Sequence, residues 1–508
     1  MAFWRLNTET GVTWLKIAFG IAWFAVFSVA ATALTAAHWT WRKFDDISVD
    51  QIVYHIVFPL DGVDPSFYYS FARNVMIGPA VSLVIGYLIY RCLAAKPFFF
   101  AIPKRRVFAV LAFLTLGVTA FSVGYIEYRF GAVAYCEKMV SFLDKDESTY
   151  IRDNYAPVAA DDITFPNGKN NLLFLVLESA EGNFTDASVY GDNLLPKLEK
   201  IADENLSFTR QVETYGTSWS AAGLCSLFLG VPYVVPGMKE TTLINETKQF
   251  LPGASSLLGL LEQNGYDITF LCGTDVKFGG RDLLINTHCR KARLEDMAVL
   301  AERYPSLPVP KGRWGYPDQV IYDEIKKKVA AWADDDTPQA LVVTTVNTHH
   351  PGYKDPGSRV VFNDLRDAFI EMDDLAGEFV EWFSTQPAAK NTTVVILGDH
   401  LLPADEVGAV ELPPKRERFV YNAILNSRVK PEQPPETRMF ATIDFCPTIL
   451  ESLGAVLPGH RLGLGTSLFS KDQTLVERDG VVQYEKEIAR FSPMYNSLIY
   501  GSDQTAAK

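Results

Sequence analysis

Three apolar runs occupy much of the first 125 residues: Val12 to Ala36, Val75 to Leu93 and Val107 to Tyr125. Crossing about 30 Å of hydrocarbon takes roughly 20 helical residues, because backbone inside lipid must satisfy its own hydrogen bonds. Each run reaches or approaches that length and is charged only near an end, at Lys16 in the first and Arg91 in the second. They read as three transmembrane helices rather than buried helices of a soluble protein. A cleaved signal peptide does not fit, since the first run is too long and two more follow.

Flanking charge sets the orientation. Arg91, Lys96, Lys104, Arg105 and Arg106 bracket the short connection between the second and third runs with no acidic residue among them, and such basic loops stay in the cytoplasm. The preceding loop mixes Arg42, Lys43 and Arg73 with Asp45, Asp46, Asp50, Asp61 and Asp64, so it belongs on the other face. The N-terminus is then cytoplasmic and everything after about Gly131 is exported, into the periplasm if the host is a Gram-negative bacterium. The 47 basic and 60 acidic residues leave a formal net charge of −13, which argues against broad adhesion to nucleic acid or anionic lipid. At 48% hydrophobic and 21% charged residues, the chain is neither a disordered tail protein nor a disulfide miniprotein. No cysteine pair has the C-x-x-C spacing of a zinc knuckle. Of the five exported cysteines, Cys136, Cys225, Cys272, Cys289 and Cys446, one must stay free.

Three regions follow: a membrane domain over residues 1–130, a linker with a short helix over 131–170, and an exported catalytic domain over 171–508. The linker reading rests on Pro157, Pro166 and the Asn167-Gly168 pair. Beyond it, Leu172 to Leu177, Ile268 to Leu271, Ala340 to Val346 and Thr393 to Leu397 read as buried strands. Gly253 to Gln263, Asp318 to Ala333 and Leu365 to Phe383 have helical length and period. Such alternation predicts an α/β domain with a mostly parallel sheet between helices.

Ligands of such sheets bind beyond the carboxyl ends of the strands. There the sequence offers Glu178 and Ser179, then Asp275, Lys277 and Arg281, then His349 and His350, and finally Asp399 and His400. Singly, each has an ordinary reading: Glu178 as a helix cap, Asp399 as a cap beside a solvated His400, the histidine pair as a turn, Lys277 and Arg281 as solvated charges. As a set they propose a metal site facing a cationic pocket. A nucleophile candidate lies in Gly216-Thr217-Ser218-Trp219-Ser220-Ala221-Ala222-Gly223, small residues leading into an apolar helical stretch from Leu224 to Gly230. A hydroxyl at a helix start lies among free N–H groups that favour an anion, although a serine there also serves as an ordinary cap. A nearby divalent cation favours its ionised form and makes it an attacker at neutral pH.

With these residues the chain resembles the alkaline-phosphatase/sulfatase-like superfamily, in its branch of membrane-anchored phosphoglycerol and phosphoethanolamine transferases. The likeness runs from about Asn171 to Leu468. It is carried by LES at Leu177 to Ser179, GTSWSAAG at Gly216 to Gly223, GTDVKFGGRD at Gly273 to Asp282, WGYPD at Trp314 to Asp318, THHP at Thr348 to Pro351, GDHL at Gly398 to Leu401 and LGLGTSL at Leu462 to Leu468. The resemblance implies one divalent metal on Glu178, Ser220, Asp399 and His400, with Ser220 also the nucleophile. Related enzymes usually place threonine there, and Ser218 and Thr217 lie close by. It further implies that His349 meets the transferred phosphate, that Asp275 and Arg281 line the head-group pocket, and that Lys277 and His350 join the substrate-binding set. Manganese is the metal it suggests, while magnesium and zinc suit the same donors.

Sulfatases resemble the same sheet but carry a cysteine or serine followed at set spacing by proline and arginine. Here Ala221, Ala222, Gly223 and Leu224 follow Ser220, which disfavours that activity. The resemblance implies an inner-membrane enzyme that moves sn-glycerol 1-phosphate from phosphatidylglycerol to a periplasmic glucan, through a covalent glycerophospho-serine. The alternatives are a phosphoethanolamine transferase or a phosphatidylglycerol head-group hydrolase. A non-catalytic relative would have lost a metal ligand, and a lipoteichoic acid synthase relative usually has five spans.

Overall fold

The computed structural model describes residues 8–44, 47–58, 65–94, 104–143, 147–234, 237–309, 313–350, 352–353, 364–403, 407–410, 413–414 and 417–501. Lys96, Asp45, Asp46, Asp61 and Asp64 of the orientation reading, and Pro351 of the THHP motif, lie outside them. The first six helices are α1 (Thr8–Phe44), α2 (Val49–Val57), α3 (Pro65–Val75), α4 (Ile77–Ala94), α5 (Lys104–Phe130) and α6 (Ala132–Leu143). The chain divides into two compact units, Met1–Val49 with Asp64–Tyr135, and Asp50–Val63 with Cys136–Lys508.

Among the described residues of the first unit, three helical stretches are long and apolar enough to cross a membrane: Ile21–Phe44, Tyr68–Leu88 and Ala109–Phe130. The first extends past the Ala36 expected from hydropathy, and the second starts before Val75, because aromatic and small polar residues continue both helices beyond their most apolar windows. Trp23, Phe27, Ala31 and Leu111 make a small shared core. A Cβ on Gly78 would stand 2.6 Å from the Thr32 backbone nitrogen; α1 and α4 approach this closely because that position lacks a side chain.

The second unit holds a six-stranded sheet of β1 (Asn171–Leu177), β2 (Asp267–Cys272), β3 (Arg293–Glu295), β4 (Gln339–Thr344), β5 (Thr392–Gly398) and β6 (Asn422–Leu425). Their order is β3-β2-β4-β1-β5-β6, parallel throughout except for the antiparallel β5–β6 edge pair. Strands β1, β4 and β5 are buried at every residue, as expected of a sheet covered on both faces. Helices α7 (Ser220–Leu229), α8 (Asp318–Ala331) and α9 (Asp364–Ser384) belong to this unit; α8 and α9 contribute Ile321, Ile325, Phe369 and Phe379 to the large core over one face.

Some boundaries differ from the sequence reading, and two strands add to it. The fourth strand ends at Thr344, not Val346, because the Asp318 carboxylate takes the Val346 and Asn347 N–H groups at 2.8 and 3.0 Å and turns the chain out of the ladder. The helix expected from Gly253 begins at Leu257, where Ser256 Oγ accepts from the Gly259 N–H. Strands β3 and β6 were not expected, since Arg-Leu-Glu and Asn-Ala-Ile-Leu are too short to show a period. Cys136, Cys225, Cys272, Cys289 and Cys446 are all free thiols, the last four buried.

Candidate active site

The sheet register assembles the site. Leu177 pairs with Gly398, and Val176 with both Leu397 and Thr344. The residues just past these three strand ends, Glu178, Asp399-His400 and the segment from Thr345, are therefore lateral neighbours along one sheet edge. Ser179 turns the chain sharply with φ +54°, an unusual conformation for a residue with a Cβ. Its N–H donates to Asp399 Oδ1 at 2.8 Å and its hydroxyl to Glu178 Oε1 at 3.0 Å. The Glu178 N–H donates to Thr345 Oγ1, and the Thr348 hydroxyl donates to the Glu178 carbonyl.

Glu178, Asp399 and His400 are buried and offer ligand atoms within 4.8 Å of one another. His400 Nε2 lies 3.4 Å from Glu178 Oε1 and 3.6 Å from Asp399 Oδ2. Its Nδ1 faces the Leu401 carbonyl at 2.8 Å, which fixes the tautomer that leaves Nε2 as the ligand atom. Ser220 Oγ completes the group at 3.1 Å from Glu178 Oε2 and 3.3 Å from His400 Nε2. Thr217, by contrast, is fully buried and donates its hydroxyl to the Thr214 carbonyl.

Charge is crowded in this group. Burial raises the Asp399 carboxyl, and the negative Glu178 raises it further, to about 7. Burial works against the His400 imidazolium, but Asp399 and Glu178 outweigh it and lift it to about 10. Burial also opposes ionisation of Glu178, yet the His400 hydrogen bond and the His349 and His400 charges hold it down at about 2. Two carboxylates packed this closely call for positive charge between them. With one imidazole and one hydroxyl beside them, the donor set fits a divalent cation of the manganese, magnesium or zinc type.

Ser220 is the first residue of α7, whose first helical hydrogen bond runs from the Gly223 N–H to the Trp219 carbonyl at 2.8 Å. The N–H groups of Ser220, Ala221 and Ala222 precede it and surround the hydroxyl with partial positive charge. Gly223 lets the helix meet β5: a Cβ there would stand 2.5 Å from the Asp399 carbonyl oxygen.

The Asp275–Arg281 loop abuts this helix, with Ala221 Cβ 3.8 Å from the Cβ position of Gly279. Arg281 is buried and donates to its own loop, from Nε to the Phe278 carbonyl and from Nη2 to the Asp275 carbonyl and Thr274 Oγ1. Asp275 is half-buried and accepts from the Lys277 N–H at 2.9 Å, while Lys277 itself is exposed. His349 and His350 are half-buried. His349 Nδ1 lies 3.1 Å from the His350 carbonyl, and burial lowers its pKa against the opposing pull of Glu178. Trp314 packs against the His349 ring, tilted at 55° with centroids 4.7 Å apart, and donates from Nε1 to the His350 carbonyl. The WGYPD motif carried no role in the sequence reading, yet Trp314 and Asp318 hold the His349 segment in place.

Residues 170–455 match the sulfatase family. Phosphoglycerol transferase I of Xanthomonas euvesicatoria pv. vesicatoria is 27% identical over 340 residues, covering 63% of this chain and 46% of that protein. Phosphoglycerol transferase I of Escherichia fergusonii is 27% identical over 357 residues, covering 65% and 45%. The chain thus spans about half the length of the curated relatives it matches. Among solved structures, the integral membrane protein lipooligosaccharide phosphoethanolamine transferase A of Neisseria meningitidis has a TM-score of 0.50 to this chain at 13% identity, covering 88% of this chain and 87% of that one. At that identity the likeness concerns the fold.

Proposed function

The chain belongs to the sulfatase family, and on that premise we propose that it is a phosphoglycerol transferase of the inner membrane, moving sn-glycerol 1-phosphate from phosphatidylglycerol to a periplasmic glucan. The observation that carries this reading is Ser220 Oγ, set at a helix start between Glu178 and His400 at 3.1 and 3.3 Å. Relatives named phosphoglycerol transferase I favour glycerol phosphate as the transferred group, and three apolar helices suit a lipid donor.

Glu178, Asp399, His400 and Ser220 would hold one divalent cation, which supplies Lewis-acid stabilisation of negative oxygen. Ser220 Oγ attacks phosphorus, the bond to the diacylglycerol oxygen breaks, and the serine proton leaves with diacylglycerol. A glucan hydroxyl then attacks the glycerophospho-serine, the Ser220–phosphorus bond breaks, and the glucan proton returns to Ser220. The N–H groups at the start of α7 stabilise the phosphoryl oxygens through both steps. His349 Nε2, on the ring edge away from the His350 carbonyl, carries the proton to the diacylglycerol oxygen and takes one from the glucan hydroxyl. Arg281, bonded to its own loop, shapes the head-group wall.

The test is purified full-length protein with manganese and head-group-labelled phosphatidylglycerol, with and without a β-glucan, beside Ser220→Ala. Label on the glucan that disappears in Ser220→Ala is the expected result. Label released only as free glycerol phosphate means a hydrolase, and turnover of phosphatidylethanolamine alone overturns the donor.

A further inference from the structure

Helix α2 lies in sequence between the first two apolar stretches, yet from Asp50 onward it belongs to the unit that holds the site. Contacts from Asp50, Tyr54 and Phe58 dock it there. Asp50 accepts from Lys138 Nζ at 2.7 Å and from the Tyr215 hydroxyl at 2.9 Å, just before the loop that ends in Ser220. The Tyr54 hydroxyl donates to the Gly279 carbonyl at 2.5 Å. The Phe58 ring lies 3.0 Å from where a Gly280 Cβ would stand. Gly279 and Gly280 both have positive φ, +62° and +67°, so the backbone of this loop presents no side chain toward α2.

We propose that His55 of α2 is a head-group-binding residue, whose imidazole hydrogen-bonds a hydroxyl of the glycerol moiety. Its ring lies 6.0 Å from Phe278, which meets Trp314 at 5.4 Å, which in turn meets His349 at 4.7 Å. One aromatic wall therefore joins His55 to the histidine beside Glu178. His55 Nδ1 is buried with no hydrogen-bond partner among the described residues, and a buried polar atom in that state calls for a functional explanation. Burial, with a smaller contribution from His349, lowers the imidazole pKa to about 4, so the ring is neutral near pH 7. A neutral imidazole offers one donor and one acceptor, and a hydroxyl complements either tautomer. An anionic phosphoryl oxygen accepts only, and an ammonium donates only. The orphaned nitrogen thus matches glycerol better than ethanolamine. This inference rests on the transferase reading of the site and names the element that recognises its head group.

The experiment titrates full-length protein in detergent with manganese present, using sn-glycerol 1-phosphate and inorganic phosphate as separate probes in calorimetry. Wild type is expected to bind glycerol phosphate more tightly than phosphate. His55→Phe, which keeps an aromatic ring in the wall, loses about tenfold for glycerol phosphate and nothing for phosphate. His55→Asn, which places an amide near the Nδ1 position, recovers most of that loss. Equal weakening of both probes would assign His55 a structural role and overturn the proposal, as would unchanged glycerol phosphate binding in His55→Phe or no preference in wild type. Failure of the transferase reading shows elsewhere: wild type then transfers no label from phosphatidylglycerol, whatever the two probes report.

Discussion

Replacing Gly223 by alanine tests the site through its backbone rather than its ligands. The added carbon would stand 2.5 Å from the Asp399 carbonyl oxygen and 3.2 Å from its carbonyl carbon. Both are main-chain atoms, so no side-chain rotation relieves the clash, and α7 must retreat from the end of β5. Reaching the 3.0 Å limit below which such contacts essentially never occur takes a shift of at least about 0.5 Å. Ser220 lies one turn earlier on the same helix face and retreats with it. Its 3.1 and 3.3 Å contacts to Glu178 and His400 then stretch past hydrogen-bonding range. Overpacking of this kind costs about 1–3 kcal/mol, equivalent to about five- to 150-fold in a rate or binding constant. The assay is steady-state transfer from labelled phosphatidylglycerol beside calorimetric manganese binding. The expected result is kcat and manganese affinity both down by about that factor, with the lipid KM changed less. Gly124→Ala, whose added carbon meets nothing within 4 Å, controls for the exchange itself. A Gly223→Ala protein with kcat and manganese affinity within twofold of wild type would refute the coupling of Ser220 to the close approach of α7 on the Asp399 backbone.

Other perturbations reach different parts of the fold. Arg418→Ala strands the fully buried Glu181 carboxylate, which Arg418 Nε meets at 2.8 Å; denaturant unfolding is expected to register a loss of about 3–5 kcal/mol, largely restored in Arg418→Met with Glu181→Leu. Asp318→Asn leaves one oxygen for two buried amides, Val346 and Asn347. A loss of about 1–3 kcal/mol and faster hydrogen exchange at those amides should accompany a fall in kcat, because His349 lies on the same segment. His288 is half-buried with Nε2 2.9 Å from the Phe250 carbonyl, and desolvation depresses its pKa from 6.5 to about 4. The unfolded chain therefore takes up this proton first as the pH drops: stability is complete above pH 6.5 and declines between 6.5 and 4, by up to about 3 kcal/mol. Melting of His288→Asn across that window should show a correspondingly weaker pH dependence, and an unchanged slope would exclude His288 as its source.

The apolar helices and the central strands were legible because each is a local pattern. Leu172 to Leu177 and Thr393 to Leu397 are continuous apolar and β-branched runs, and the structure extends them by only one residue at an end or two. Glu178, Asp399 and His400 stood out because they follow such runs directly, and parallel strands deliver their ends to one edge. Ser220 was legible as a hydroxyl at a helix start, but its neighbours Ser218 and Thr217 looked equally suitable. Only the meeting of α7 with β5, permitted by Gly223, selects the hydroxyl that touches both Glu178 and His400. Arg281 shows a further limit: its place after a strand is legible, but only the folded loop shows its Nε and Nη2 donating to the Phe278 and Asp275 carbonyls. Helix α2 shows the same limit at longer range, since a nine-residue amphipathic segment between apolar stretches carries no local sign that Tyr54 and His55 pack beside a loop more than 200 residues away. Periodicity and turn chemistry act between near neighbours and so determined the elements of this protein. The order of strands, their register and the burial of particular polar atoms depend on contacts distant in sequence, and those alone decided which residues share the site.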